Sequence, residues 1–230
     1  MRLTASKDED SGLWNIPQLE NWEDTLKGMV DNLKINKPFK FARYGDGEIY
    51  CMKGKIGQNC DNHTYYPQLG NRLRQAINQE PDYMVGVQPL SVSHIPQDVE
   101  NYFAHFTRLY NADVLHNASM DGQLPKFTGA LQGRYLVLVG PPHLADFFKE
   151  CVHIVIPSEN CWTEYENVRQ QIDFHVDGIN NAVVLLASSM MSEVLIDDFA
   201  DYHHTFVDVG SVLDPYCGVN SRRYHHKLKI

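Results

Sequence analysis

Ala182-Val-Val-Leu-Leu-Ala-Ser-Ser-Met-Met191 decides the fold. Six small or branched apolar residues in a row leave no polar face, so the run predicts a strand buried on both sides. Ser188 and Ser189 close it, and Met191, Val194, Leu195 and Phe199 follow at helical steps. The same pattern recurs outward. Upstream, Arg134-Tyr-Leu-Val-Leu-Val139 runs into Gly140-Pro141-Pro142. Residues 152–156 form another apolar strand, closed by Pro157-Ser158, and a helix is predicted over about 161–176 from Tyr165, Val168 and Ile172. Downstream, Thr205-Phe-Val-Asp-Val209 is the last strand.

The first half reads less clearly. A helix over 18–34 carries Leu19, Trp22, Leu26, Met29 or Val30, and Leu33. Residues 39–43 and 83–87 read as strands, with Tyr44-Gly-Asp-Gly-Glu48 as a turn after the first. Leu69, Leu73 and Ile77 mark a second helix; Val99, Tyr102 or Phe103, Phe106 and Leu109 mark a third. Short two-faced strands alternating with helices predict an α/β fold: a Rossmann-like, doubly wound, mostly parallel sheet flanked by helices. Ligands of such sheets sit beyond the carboxyl ends of the strands. The loops to inspect are 44–48, 88–94, 140–146, 157–161, 187–191 and 210–217.

The chain has 230 residues, 43% hydrophobic and 21% charged, the balance of one compact domain. The division expected is a flexible segment 1–17, an α/β domain 18–217 and a basic tail 218–230. A net charge of −9 disfavours a generic nucleic-acid coat. No apolar run reaches the roughly 18–20 residues of a membrane span, and the first ten residues lack the apolar core of a secretory signal. Five cysteines, an odd number without Cys-x-x-Cys, read as reduced thiols in a cytoplasmic protein.

Six segments carry candidate chemistry. In Arg43-Tyr44-Gly45-Asp46-Gly47-Glu48, two carboxylates flank a glycine at a strand tip. Hard oxygen ligands suit Mg²⁺ or Mn²⁺ when phosphate oxygens complete the shell, and Arg43 adds a fork suited to phosphate. The same residues also read as a solvated Gly-Asp-Gly turn. Gly140-Pro141-Pro142-His143 leads a strand into a loop that offers backbone groups to an anion, with His143 as a phosphate contact, a base or a surface histidine. Ser158 and Asn160 read as helix caps or as nucleotide contacts, and Ser188 and Ser189 as caps or phosphate ligands. Asp208 lies inside an apolar strand, where an unpaired acid is costly, so it requires a partner or a role. Finally, Ser221-Arg-Arg-Tyr-His-His-Lys-Leu-Lys229 is basic, either a solvated tail or a neutraliser of phosphates. The pairs His203/His204 and His225/His226 lack the spacing of a zinc motif.

Taken in order, Phe41-Ala-Arg-Tyr-Gly-Asp-Gly-Glu48, Tyr135-Leu-Val-Leu-Val-Gly140, Ile154-Val-Ile-Pro-Ser-Glu-Asn160, Ala182-Val-Val-Leu-Leu-Ala187 and Val207-Asp-Val-Gly210 resemble the GT-D-type glycosyltransferases over about residues 38–217. The resemblance implies a nucleotide-sugar donor, commonly a UDP-sugar, and Mn²⁺ or Mg²⁺ held at Asp46 and Glu48, with Arg43 beside the diphosphate. On this reading Tyr44, Gly45, Gly140, Pro141, Ser158, Asn160, Ser188, Ser189 and Gly210 are the other candidate donor contacts. Asp208, Asp214 and His143 are candidate bases for an acceptor hydroxyl. The sequence departs from the family twice. Ala187-Ser188-Ser189-Met190 replaces a Gly-Pro-Thr-Ala-like turn, and Ser211 stands where a histidine is usual, so no role is carried to it. The expected acceptor is a glycan, a glycoconjugate or modified DNA bases of the virus type. The alternatives are a metal-dependent phosphohydrolase or nucleotidyltransferase, and a nucleotide-binding module without turnover.

Overall fold

A computed structural model describes residues 14–228. The chain runs α1 (Trp22–Lys34), β1 (Lys40–Tyr44), α2 (Asp46–Met52), α3 (Pro67–Ala76), β2 (Met84–Val87), α4 (Pro89–His94), α5 (Pro96–Phe103) and β3 (Tyr110–Asn111). It continues through α6 (Val114–Met120), α7 (Leu124–Ala130), β4 (Leu136–Gly140), β5 (Val152–Val155), α8 (Tyr165–Val176), β6 (Val183–Leu186), α9 (Met191–Asp198) and β7 (Thr205–Asp208). The expected α/β class is what the structure has. Seven strands form one sheet in the order β3-β2-β1-β7-β6-β4-β5, and every pairing is parallel.

Strand alternation divides the core into two layers. Ala42, Tyr44, Val137, Val139, Val184, Leu186 and Phe206 pack with α2, α3, α5, α8 and α9 on one face. Phe41, Leu136, Leu138, Val183, Leu185 and Val207 pack with α1, α6 and α7 on the other. Because successive side chains alternate, Arg43 shares the face of Phe41, and Asp208 shares the face of Phe206. Pairing of Lys40 with Phe206 and Phe41 with Val207 sets β1 beside β7 at the middle of the sheet. The two side chains leave opposite faces and come together past the strand ends, at the sheet's carboxyl edge.

Several local expectations change. Residues 44–48 are not an open turn: Asp46 begins α2, and the Gly45 N–H donates to Glu48 Oε2 at 2.7 Å. That bond satisfies a donor at the helix start and folds Glu48 back toward it. The first helix begins at Trp22, where the Asn21 side chain accepts from the backbone N–H groups of Glu23 and Asp24. Residues 110–130, for which no element is expected, hold β3, α6 and α7. Helix α6 buries Val114, Leu115, His116, Ala118 and Ser119 and so lacks a polar stripe to reveal its period.

Of the segment 1–17, residues 1–13 lie outside the described residues. Ile16 is buried, and Trp14 packs against the core. All five cysteines are free. Among the described residues no helix is long and apolar enough to cross a membrane.

Candidate functional site

A cavity of about 300 Å³ opens over the carboxyl ends of the central strands. Strand β1 contributes Arg43 and Tyr44, β7 contributes Asp208, and Gln88, Ala112 and Asp113 follow β2 and β3. Gly45, Asp46 and Glu48 come from the start of α2, and Ser189 and Glu193 from the start of α9. Asn59, Cys60 and Asp61 form one wall; Gly210, Ser211, Arg222 and Tyr224 from the C-terminal segment form another.

Arg43 is fixed from all sides. Its Nε donates to Ala112 O at 2.6 Å and its Nη2 donates to His116 Nδ1 at 3.2 Å. Nη1 lies 3.8 Å from Asp208, and Nη2 lies 3.9 Å from Asp113. A guanidinium only donates, so His116 accepts at Nδ1 and is neutral. Burial, then the charges of Arg43 and Arg222, hold its pKa well below the usual histidine range. Gly210 completes the cradle: its φ is +52°, and a Cβ there would stand 2.1 Å from Arg43 Nη1.

Three acids lie behind this guanidinium. Asp208 accepts from the Gly210 N–H at 2.8 Å and is almost fully buried. Glu193 is buried beside it, and its Oε2 has no hydrogen-bond partner. Burial, and then the neighbouring Asp208 and Glu48, raise the Glu193 pKa well above the carboxylate range. Burial thus favours the protonated form of Glu193, while Asp208 faces Arg43. Burial pushes Glu48 up to about 7 against the opposing Gly45 N–H. Asp46 is exposed and makes no side-chain hydrogen bond or ion pair among the described residues.

Of the residues singled out from sequence, Arg43, Tyr44, Gly45, Asp46, Glu48, Ser189, Asp208 and Gly210 line this cavity. Tyr44 is fully buried, edge-on to Phe103. Ser189 has φ +50° and accepts from Asn59 Nδ2 at 3.0 Å. The others lie off the lining. His143 Nε2 pairs with Asp214 at 2.9 Å, and Ser221 donates to the same carboxylate. The Gly140 carbonyl accepts from His153, and Pro141 precedes a 3-10 turn at Pro142–Leu144. Ser158 is exposed. Asn160 caps no helix; its side chain accepts from the Thr64 N–H at 2.8 Å. Ser188 is buried and bonded to Ser192 Oγ rather than capping α9.

Asn59, Asp61, Gln88, Asp113, His116 and Glu193 also line the cavity and belong to no motif of the sequence. Glu193 had one usable signal, a lone acid inside Met190-Met-Ser-Glu-Val-Leu-Ile196. The basic C-terminal stretch is partly engaged: Arg222 pairs with Asp61, and the Tyr224 ring meets His116 edge-on at 5.3 Å. His204 and His225 accept from the backbone N–H groups of Ala182 and Arg222. Among the described residues no three His, Cys, Asp or Glu side chains converge as a metal cage.

No protein-family model matches the chain, and no curated protein sequence does. Solved structures do. A protein described as a new glycosyltransferase (DUF1792) from Streptococcus sanguinis superposes with a TM-score of 0.69 at 19% identity, over 86% of this chain and 82% of that one. A structure of the domain of unknown function 1792, described as having a distinct glycosyltransferase fold, superposes with a TM-score of 0.61 at 17% identity, over 83% of this chain and 78% of its own. At these identities the likeness establishes a shared fold.

Proposed function

We propose that this chain is a glycosyltransferase that moves a sugar from a nucleotide-sugar, a UDP-sugar first among them, to an acceptor hydroxyl with Mn²⁺ or Mg²⁺. One observation carries the reading. On a fold shared with a glycosyltransferase, Asp46 and Glu48 lie at the start of one helix, inside the cavity that also holds the fixed Arg43.

The lining fits a divalent cation. Six acidic side chains and two guanidiniums line the cavity, and with Glu193 favouring its protonated form the remaining acid excess would still repel a diphosphate. Asp46 and Glu48 would hold the ion, and donor oxygens would complete its shell. When bound, the cation supplies neutralisation of charge building on the departing nucleoside diphosphate. Arg43 supplies a second, preorganised positive charge at the same wall, at no reorganisation cost during reaction. Asp208 and His116 orient it. Of the base candidates, Asp208 is tied to Gly210 and Arg43, whereas Asp214 and His143 pair with each other. Asp113 has a side chain 27% exposed within the cavity and a pKa raised by burial. It is more open to an acceptor hydroxyl than Asp208 or Asp214, whose side chains are 5% and 10% exposed, and we assign it the proton-accepting role.

The test is a nucleotide-sugar panel with Mn²⁺ and candidate glycan, glycoconjugate and modified-DNA acceptors, read by mass spectrometry. Wild type should release nucleoside diphosphate and form a glycosylated product. Asp46→Ala and Glu48→Ala should each lower transfer by about 100-fold or more with an unchanged circular dichroism spectrum. Full activity in both variants, or release of inorganic phosphate alone, refutes the reading.

A further inference from the structure

Two guanidiniums line the cavity, and they are not equivalent. Arg43 is locked by its strand, by Ala112 and His116, and by the close approach of Gly210. Arg222 sits on the C-terminal segment outside the sheet, with a side chain 29% exposed. It grips Asp61 with both terminal nitrogens, each on one carboxylate oxygen.

That pair is not what holds the Asp61 loop in place. Asn59 Nδ2 donates to Ser189 Oγ at 3.0 Å, Asn62 Nδ2 to Glu159 at 2.8 Å, and the Thr64 N–H to Asn160 at 2.8 Å. Asn59 Oδ1 further accepts from the N–H groups of Asp61 and His63, both at 3.0 Å. The loop is therefore anchored at several points that do not involve the Asp61 side chain. The carboxylate instead occupies the fork of the more open of the cavity's two guanidiniums. A phosphate presents the same pair of oxygens to such a fork, with more charge.

We propose that Arg222 is an oxyanion-binding residue of the cavity, for which the ligand's phosphate exchanges with Asp61. The identity of the ligand as a nucleoside diphosphate rests on the glycosyltransferase reading; the anion chemistry does not. Asp61 acts as a placeholder that keeps the arginine extended into the cavity and rejects weak anions.

Calorimetric titration with inorganic pyrophosphate, and separately with uridine diphosphate, both in Mg²⁺ buffer at low salt, tests this. Arg222→Gln should weaken both by about tenfold. Asp61→Asn should tighten both by about fivefold, a gain that misfolding does not produce. In the double variant the gain from Asp61→Asn should vanish, because the freed fork is gone. Weakening by Asp61→Asn, an equal gain in the absence of Arg222, or a wild type that binds neither anion overturns the proposal. Pyrophosphate binding with this pattern but no sugar transfer from any donor sinks the transferase reading and leaves the anion site. Sugar transfer with a donor KM unmoved by Arg222→Gln does the reverse.

Discussion

Gly210 shows how much one hydrogen atom decides. Its left-handed backbone brings the chain against Arg43, so any side chain must displace the guanidinium. Gly210→Ala should lower transfer by about 100-fold through misplacement of that charge, with kcat falling more than donor affinity. Steady-state kinetics on the purified variant checks it. Glu48 makes a second residue-scale prediction. Its pKa rises from 4.5 to about 7 on folding, so the folded state keeps a proton that the unfolded chain has lost. Between those values the unfolded state binds fewer protons, and stability must fall as pH rises. In metal-free protein, Glu48→Gln should flatten this part of the profile. Melting curves from pH 4.5 to 7.5 measure the difference, and parallel profiles would contradict it.

At the scale of elements, α2 is the piece that presents both proposed metal ligands, and α3 holds it. The two helices meet at Gly70, where a Cβ would lie 2.3 Å from the Cys51 carbonyl oxygen. Gly70→Ala must push them apart, at a cost of about 1–3 kcal/mol. A lower melting temperature, with loss of Mn²⁺-dependent activity larger than the Gly70 position alone would suggest, is the expected result. This is also where the sequence was hardest to read. The Gly45-Asp46-Gly47 signal is that of a turn, and only the return of Glu48 to the Gly45 N–H makes it a helix start. Elements buried on both sides, such as β4, β6 and β7, were legible because their composition alone requires burial. Helix α6 was not, because a nearly all-buried short helix shows no period.

For the whole molecule, the decisive contact is β1 against β7, which joins distant parts of the chain at the centre of one parallel sheet. Within the sheet the β3-β2-β1 half and the β6-β4-β5 half meet through β7, and α9 packs against both β1 and β7. Urea unfolding followed by far-ultraviolet dichroism and by tryptophan fluorescence should give coincident transitions, since Trp22 and Trp162 report on opposite faces of that sheet. Separated midpoints would show that the halves unfold independently.

The sequence by itself determined the α/β class, the alternation of buried strands with helices, and the placement of Arg43, Asp46, Glu48, Asp208 and Gly210 at strand tips. These follow from local composition and from the rule that ligands gather at carboxyl edges. Tertiary structure alone decided which tips share a cavity. It set the 140–146 and 157–160 loops off the lining and brought in Asp61, Asp113, His116, Glu193 and Arg222. The reason is strand order: neighbours in the sheet are not neighbours in the chain, and no local pattern records which edge a strand will pair.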